Sequence, residues 1–188
     1  CYSENLYVDY FFGKEASADY VIGTRRGISN RKPIIGQYDI NREGSGDMYS
    51  KGANLLHTIR QLAKDDEVWR KTLRGLNKEF YHSTVTTGEI EEYISKSIGM
   101  DLSKVFDQYL RDHRVPVFEY EITNGVLMYR WDNVIDGFNM PLEVIIDGEN
   151  TQLYPTLEFK QIPIKNLYIN VDEDYYIFKK DLKMIIDS

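Results

Sequence analysis

The hydrophobic pattern is helical through the first part of the chain and alternating after it. Between Ser45 and Ala63, the apolar residues Met48, Leu55, Leu56, Ile59, Leu62 and Ala63 fall at offsets of 0, 7, 8, 11, 14 and 15, one stripe of a 3.6-residue helix. Gly52 lies on the same stripe. Inside a helix it costs about 1 kcal/mol against alanine, so close approach of another backbone or side chain is expected there. Ser45 and Asp47 offer short polar oxygens to the orphan N–H groups of a first turn, and the helix is expected to open at them. Tyr49 sits beside Met48 at the edge of the stripe, a place where a ring packs while its hydroxyl reaches a cleft.

Before this helix, Tyr2–Phe12 reads as a helix in preference to an aromatic-rich strand, stopped by Gly13. Glu15–Arg26 reads as another, stopped by Gly27. Residues 28–44 hold Asn30, Pro33, Gly36, Asn41 and Gly44 and read as a loop. A connection of that length is often functional. After it, Asp65 caps a helix carrying Val68, Trp69, Leu73, Leu76 and Phe80. Thr86-x-x-Glu89 forms a capping box ahead of Ile90, Tyr93, Ile94, Ser97 and Ile98, and Gly99 ends that helix. Asp101 opens the last, with Leu102, Val105, Phe106, Tyr109 and Leu110 on one face. Short connections make these helices antiparallel neighbours.

At Pro116 the period changes to 2. Phe118, Tyr120 and Ile122 alternate with Glu119, Glu121 and Thr123. Asn124-Gly125 is a two-residue hairpin signal, and Leu127, Tyr129 and Trp131 continue on the return strand. Further strands are expected at Leu142–Ile146, Gln152–Phe159, Leu167–Val171 and Tyr175–Phe178, with Pro141, Pro155 and Pro163 at strand ends or edges. The fold class is α+β: a helical part over residues 1–115, then a small antiparallel β-sandwich over residues 116–188.

Charge sharpens this division. The net charge is −7. Residues 1–115 carry 17 basic and 17 acidic groups, and residues 116–188 carry 6 basic and 13 acidic, so the whole imbalance lies in the second part. An acidic sandwich repels phosphate backbones and argues against nucleic acid as a partner. The lone Cys1 leaves no internal disulfide and no thiolate metal cluster. No run of 18 apolar residues is present, so no membrane-spanning segment is expected. The opening in helix-like sequence without a methionine reads as a cut through a longer protein.

Taken residue by residue, the chemistry is sparse. Tyr49 alone would be a packing tyrosine and Lys51 a solvated helix lysine. His57, His82 and His113 have no metal-ligand spacing, and no H-E-x-x-H is present. Asp172-Glu173-Asp174 lacks a calcium-loop pattern and reads as a solvated turn. No nucleophile elbow accompanies the serines, and the Thr84–Thr87 cluster is accounted for by helix capping.

The wording Tyr49-x-Lys51-Gly52-Ala53 followed by Leu-Leu-His-Thr-Ile-Arg resembles the aminopeptidase N-like gluzincin zinc metallopeptidases. The later segments Val85-Thr86-Thr87, Ile98-Gly99-Met100-Asp101-Leu102-Ser103, Phe106-Asp107-Gln108-Tyr109-Leu110 and Arg114-Val115-Pro116 are similar to that family's helices too. Tyr109 stands where the family has Trp, Arg114 where it has Gly, and Ile98 where it has a small residue. The resemblance implies the C-terminal half of a thermolysin-like catalytic domain followed by its β-sandwich. It implies that Tyr49 is the catalytic residue that hydrogen-bonds the oxyanion, that the substrate is a peptide, and that the cofactor is zinc. The family's zinc motif and its Gly-x-Met-Glu-Asn strand are absent from the chain, and in the family's register the third ligand would precede Cys1. The 188 residues alone are therefore expected to hold no zinc and to be inactive. They are expected to pack against the missing N-terminal part of the catalytic domain, and to self-associate through the Met48–Leu55 stripe without it. The competing reading is a non-catalytic helical and β-sandwich interaction module.

Overall fold

The structure is a computed structural model and describes residues 1–36, 44–165 and 168–183. Six α-helices precede seven strands among these residues: α1 Tyr2–Phe12, α2 Lys14–Gly23, α3 Ser50–Ala63, α4 Asp66–Glu79, α5 Thr87–Ile98 and α6 Ser103–Phe106. A 3-10 turn at Thr24–Gly27 ends α2, another at Gly46–Met48 precedes α3, and a π turn at Asp107–Arg111 extends α6. The caps are those the sequence sets. Asp65 accepts from the Glu67 backbone, Thr86 and Glu89 complete a reciprocal capping box, and Gly99 takes the left-handed conformation that glycine adopts without a Cβ clash. The one early difference is the start of α3. Ser45 caps the 3-10 turn and not the α-helix, which opens at Ser50 with Tyr49 as its N-cap.

Among the described residues no helix is long and apolar enough to cross a membrane.

The strands are β1 Val117–Thr123, β2 Val126–Asp132, β3 Leu142–Ile146, β4 Glu149–Leu153, β5 Lys160–Pro163, β6 Ile169–Val171 and β7 Phe178–Asp181. They form two sheets, in the orders β5-β2-β1-β7 and β4-β3-β6. Asn124 and Gly125 both have positive φ and close the β1–β2 hairpin, so Phe118 faces Trp131 and Ile122 faces Leu127 across it. Two sequence expectations are redrawn. The run expected at Gln152–Phe159 is divided, because β4 ends at Leu153 before buried Pro155, and pairing resumes only at Lys160. The last strand lies at Phe178–Asp181 and pairs with β1 in parallel, so the larger sheet is mixed. Leu167 of the expected Leu167–Val171 strand lies outside the described residues.

Glu119, 2% exposed, sits on β1 beside Arg130 of β2 and Lys180 of β7. Its carboxylate accepts from Arg130 Nε at 2.8 Å and Lys180 Nζ at 2.6 Å. Burial pushes its pKa up, but these bonds outweigh burial and hold it below the usual value. An acid placed there ties three strands together by charge.

One hydrophobic core runs through both parts. Leu55, Ile59, Trp69, Phe106 and Tyr109 belong to the same buried cluster as Phe118, Trp131, Leu142 and Val171. A second ionic knot fastens α1 to α3 and α4. Buried Arg60 donates to Asp9 Oδ2 and Asp66 Oδ1, each at 2.8 Å, and Lys14 pairs with Asp66 as well. The hydrogen bond from Arg60 lowers the Asp66 pKa from 3.8 to about 2. A carboxylate depressed in the fold contributes stability that is fully present above its unfolded pKa and lost as pH falls through its folded one. Asp66 should therefore contribute about 1–2 kcal/mol at neutral pH, after allowance for solvent screening, and this should disappear between pH near 4 and pH near 2. Urea titrations of wild type and Asp66→Asn at a series of pH values should converge at the acid end. Parallel curves would show that the knot is energetically silent.

Candidate active site

The site is built around the start of α3. Its anchor is Asp47, whose carboxylate accepts from the Ser29 backbone at 3.0 Å, the Ser29 hydroxyl at 2.9 Å and the Asn30 backbone at 2.8 Å. Burial raises the Asp47 pKa, yet the bonds from Ser29, Asn30 and Ser45 prevail and hold it low. Ser45 N donates to Pro33 O at 3.1 Å, and Ile35 N to Leu110 O at 3.2 Å. These bonds strap the described ends of the 28–44 loop to the helix start. The middle of that loop, residues 37–43, lies outside the described residues.

Tyr49 emerges from this strapped corner. It is 64% exposed, and its hydroxyl has no hydrogen-bond partner among the described residues. Beside it opens an apolar groove of about 370 Å³ lined by Met48, Tyr49, Gly52, Leu56, Ile90 and Leu110 among others. The expected close approach at Gly52 is not made. No described residue lies within 4 Å of where a Cβ would stand, because that face of the helix looks into the groove. Met48, at the start of the stripe, is 39% exposed for the same reason. Leu55, Ile59 and Leu62 are buried as the stripe requires.

The opposite face of α3 overturns the expectation for Lys51. It is 0% exposed, and its Nζ donates to the carbonyls of Asp112 and His113 at 3.2 and 3.3 Å. Those carbonyls follow the last helical turn, where a cation is well placed to satisfy them. Burial lowers the Lys51 pKa, with Asp47 and Asp112 opposing. Its neighbours along the face are buried and partnered too. Asn54 receives Arg25 Nε at 2.7 Å and donates to Val21 O, Thr24 Oγ1 and Ser50 O. Thr58 Oγ1 accepts from Tyr176 N at 2.9 Å.

His57 Nε2 lies 3.0 Å from Asp174 Oδ1, and this bond holds the Asp174 pKa below its ordinary value. Arg25 donates to the carbonyls of Glu173 and Asp174 and stacks on the Tyr176 ring at 5.3 Å. The segment read as a solvated turn is thus a docking surface between sandwich and helices, although Glu173 itself stays exposed and pairs with Lys179. Tyr109, the residue standing in place of Trp, is fully buried and donates its hydroxyl to Tyr176 O at 2.6 Å. Arg114, in place of Gly, grips the Asp112 carboxylate at 2.9 Å.

Among the described residues no group of three His, Cys, Asp or Glu side chains is placed to hold a metal ion. His57 is engaged by Asp174, and His82 and His113 are exposed. The corner offers hydrogen-bond donation from the Tyr49 hydroxyl, which has no partner among the described residues, beside an apolar recess.

No protein-family model matches the chain, and a search of curated proteins finds no match. Among solved structures, the fold is similar to part of the crystal structure of Legionella pneumophila aminopeptidase A in complex with aspartic acid. The TM-score is 0.64 and the identity 15%, over 95% of this chain and 23% of that one. The chain thus spans less than a quarter of that protein's length. At this identity the likeness is one of fold, that of a segment of a peptidase.

Proposed function

We propose that the chain is the C-terminal helical part of the catalytic domain of a zinc-dependent aminopeptidase, with the β-sandwich that follows it. The observation that carries this reading is Tyr49: an exposed tyrosine whose hydroxyl has no partner among the described residues, at a helix start and at the mouth of an apolar groove. The likeness to the Legionella aminopeptidase supports it at the level of fold. In this reading the substrate is a peptide, and zinc is held by residues outside these 188. The chain's own contribution is to hold the Tyr49 hydroxyl where it donates to the oxygen that gains charge as the N-terminal peptide bond is attacked. The groove along Met48, Gly52 and Leu56 receives the preceding part of the catalytic domain. That contact supplies the close neighbour Gly52 lacks among the described residues.

The test is release of an N-terminal amino acid from aminoacyl chromogenic substrates. The complete protein should turn them over, lose activity to a chelator and regain it with zinc. The 188 residues alone should do neither and bind no stoichiometric zinc. A complete protein inactive under all these conditions would leave the helices and sandwich as an interaction module.

A further inference from the structure

Helix α1 carries three aromatic rings in mutual contact and in water. Tyr7, Tyr10 and Phe11 are 58%, 83% and 59% exposed. The Tyr7 and Phe11 ring centroids are 4.5 Å apart, and those of Tyr10 and Phe11 4.9 Å. The spacing i, i+3, i+4 places all three on one face. The attachments of α1 to the rest of the molecule are made by other residues. Asn5 is buried and accepts from Ser17 Oγ at 2.9 Å, Asp9 grips Arg60, and the Tyr2 hydroxyl accepts from Trp69 Nε1 at 2.7 Å. The aromatic ladder is therefore not spent on holding α1 in place.

Its area is unusual for a free surface. With Phe12 next to it, 69% exposed, and rings of about 150–250 Å² each, the patch offers on the order of 500 Å². That is the upper range of what a lone soluble domain leaves uncovered. We propose that this face is where two copies of the chain meet, α1 against α1 about a two-fold axis. Pairing the patch with itself buries on the order of 1,000 Å², the lower limit for a specific contact. A single self-complementary patch gives a closed dimer and not a fibre. Edge-to-face ring packing is available to the ladder, as it is already used within it by Tyr10 and Phe11 at an interplanar angle of 79°. Asp9, the acid between these rings in sequence, is turned inward to Arg60, and the other acid of α1, Glu4, is held by the Cys1 amino group and the Tyr20 hydroxyl. The surface is separate from the Tyr49 groove, and the inference does not depend on the peptidase reading.

Sedimentation velocity from low micromolar to several hundred micromolar should show a monomer–dimer equilibrium with Kd on the order of 10–100 µM, as such a small interface allows. Replacing Tyr10 and Phe11 together by lysine should weaken it at least about tenfold with the circular dichroism spectrum unchanged. Met48→Glu, in the groove, should leave it intact. Should the double variant misfold, hydrogen exchange on the unmodified chain reads the same contact: α1 amides should gain protection as concentration rises. A chain monomeric throughout, a dimer lost with Met48→Glu but kept in the lysine variant, or concentration-dependent protection confined to other elements would overturn the inference.

Discussion

Under the proposed peptidase reading, Tyr49→Phe in the complete protein should lower kcat about 10²–10³-fold, or roughly 2.7–4 kcal/mol of transition-state stabilisation, the usual loss when one oxyanion donor is removed. The substitution deletes only an oxygen. In the fold that oxygen has no partner among the described residues and Tyr49 is 64% exposed, so stability should move by less than about 0.5 kcal/mol. The N-cap role of Tyr49 is made by backbone geometry, with no side-chain bond to lose. Charge builds on the substrate oxygen only as the bond is attacked, so KM should change far less than kcat. Kinetics and thermal melts on the same preparation separate the outcomes. A kcat within a few-fold of wild type, with an unchanged melt, would return Tyr49 to the role of a surface tyrosine.

Lys51→Ala should have the opposite signature, a large loss of stability. The alanine leaves the Asp112 and His113 carbonyls without their donor, at about 1–3 kcal/mol for buried groups. It also empties the space of a side chain that is 0% exposed. The two together should cost about 2–4 kcal/mol. Lys51→Met retains the stem and removes a buried charge, and should cost about half as much. Urea midpoints of the two variants give the comparison. If both lie within about 0.5 kcal/mol of wild type, water replaces the ammonium at those carbonyls and Lys51 is not the clasp it looks to be.

What could be read in the sequence was what neighbours in sequence decide. The Thr86–Glu89 box, the Asp65 cap, the Gly99 stop and the Asn124-Gly125 hairpin are all settled within a few residues, and each forms as read. α3 was legible only in outline. Its apolar stripe was correctly placed, but the two faces trade surroundings: Met48 and Gly52 look into an open groove, while Lys51, Asn54 and Thr58 are buried. Polar residues at helical spacing signal solvent unless something distant arrives to bond them. Here the partners are 61 residues away for Lys51 and 118 for Thr58. No periodicity reports such contacts. The last strand was misplaced for a related reason. Tyr175 and Tyr176 have strand-like composition, yet both are buried, Tyr176 against Thr58 and Tyr109 of the helical part, and pairing waits until Phe178. Of the candidate site, the position of Tyr49 at a stripe edge could be inferred, whereas the groove beside it is a product of three-dimensional assembly.

The clasp between α3 and the Asp172–Tyr176 segment also sets an order of events. Thr58 and His57 find their partners 118 and 117 residues downstream. Helices of local sequence can form early, but Thr58 and His57 stay unpartnered until the sandwich delivers that segment. Loop-closure entropy must be met before those bonds give anything back. The final closure is thus a late, long-range step for a chain whose helices are fast, local structures. With the strands delayed, Thr58 and His57 are the α3 residues left without these partners, whereas Asn54 is already bonded within the helical part to Val21, Thr24 and Arg25.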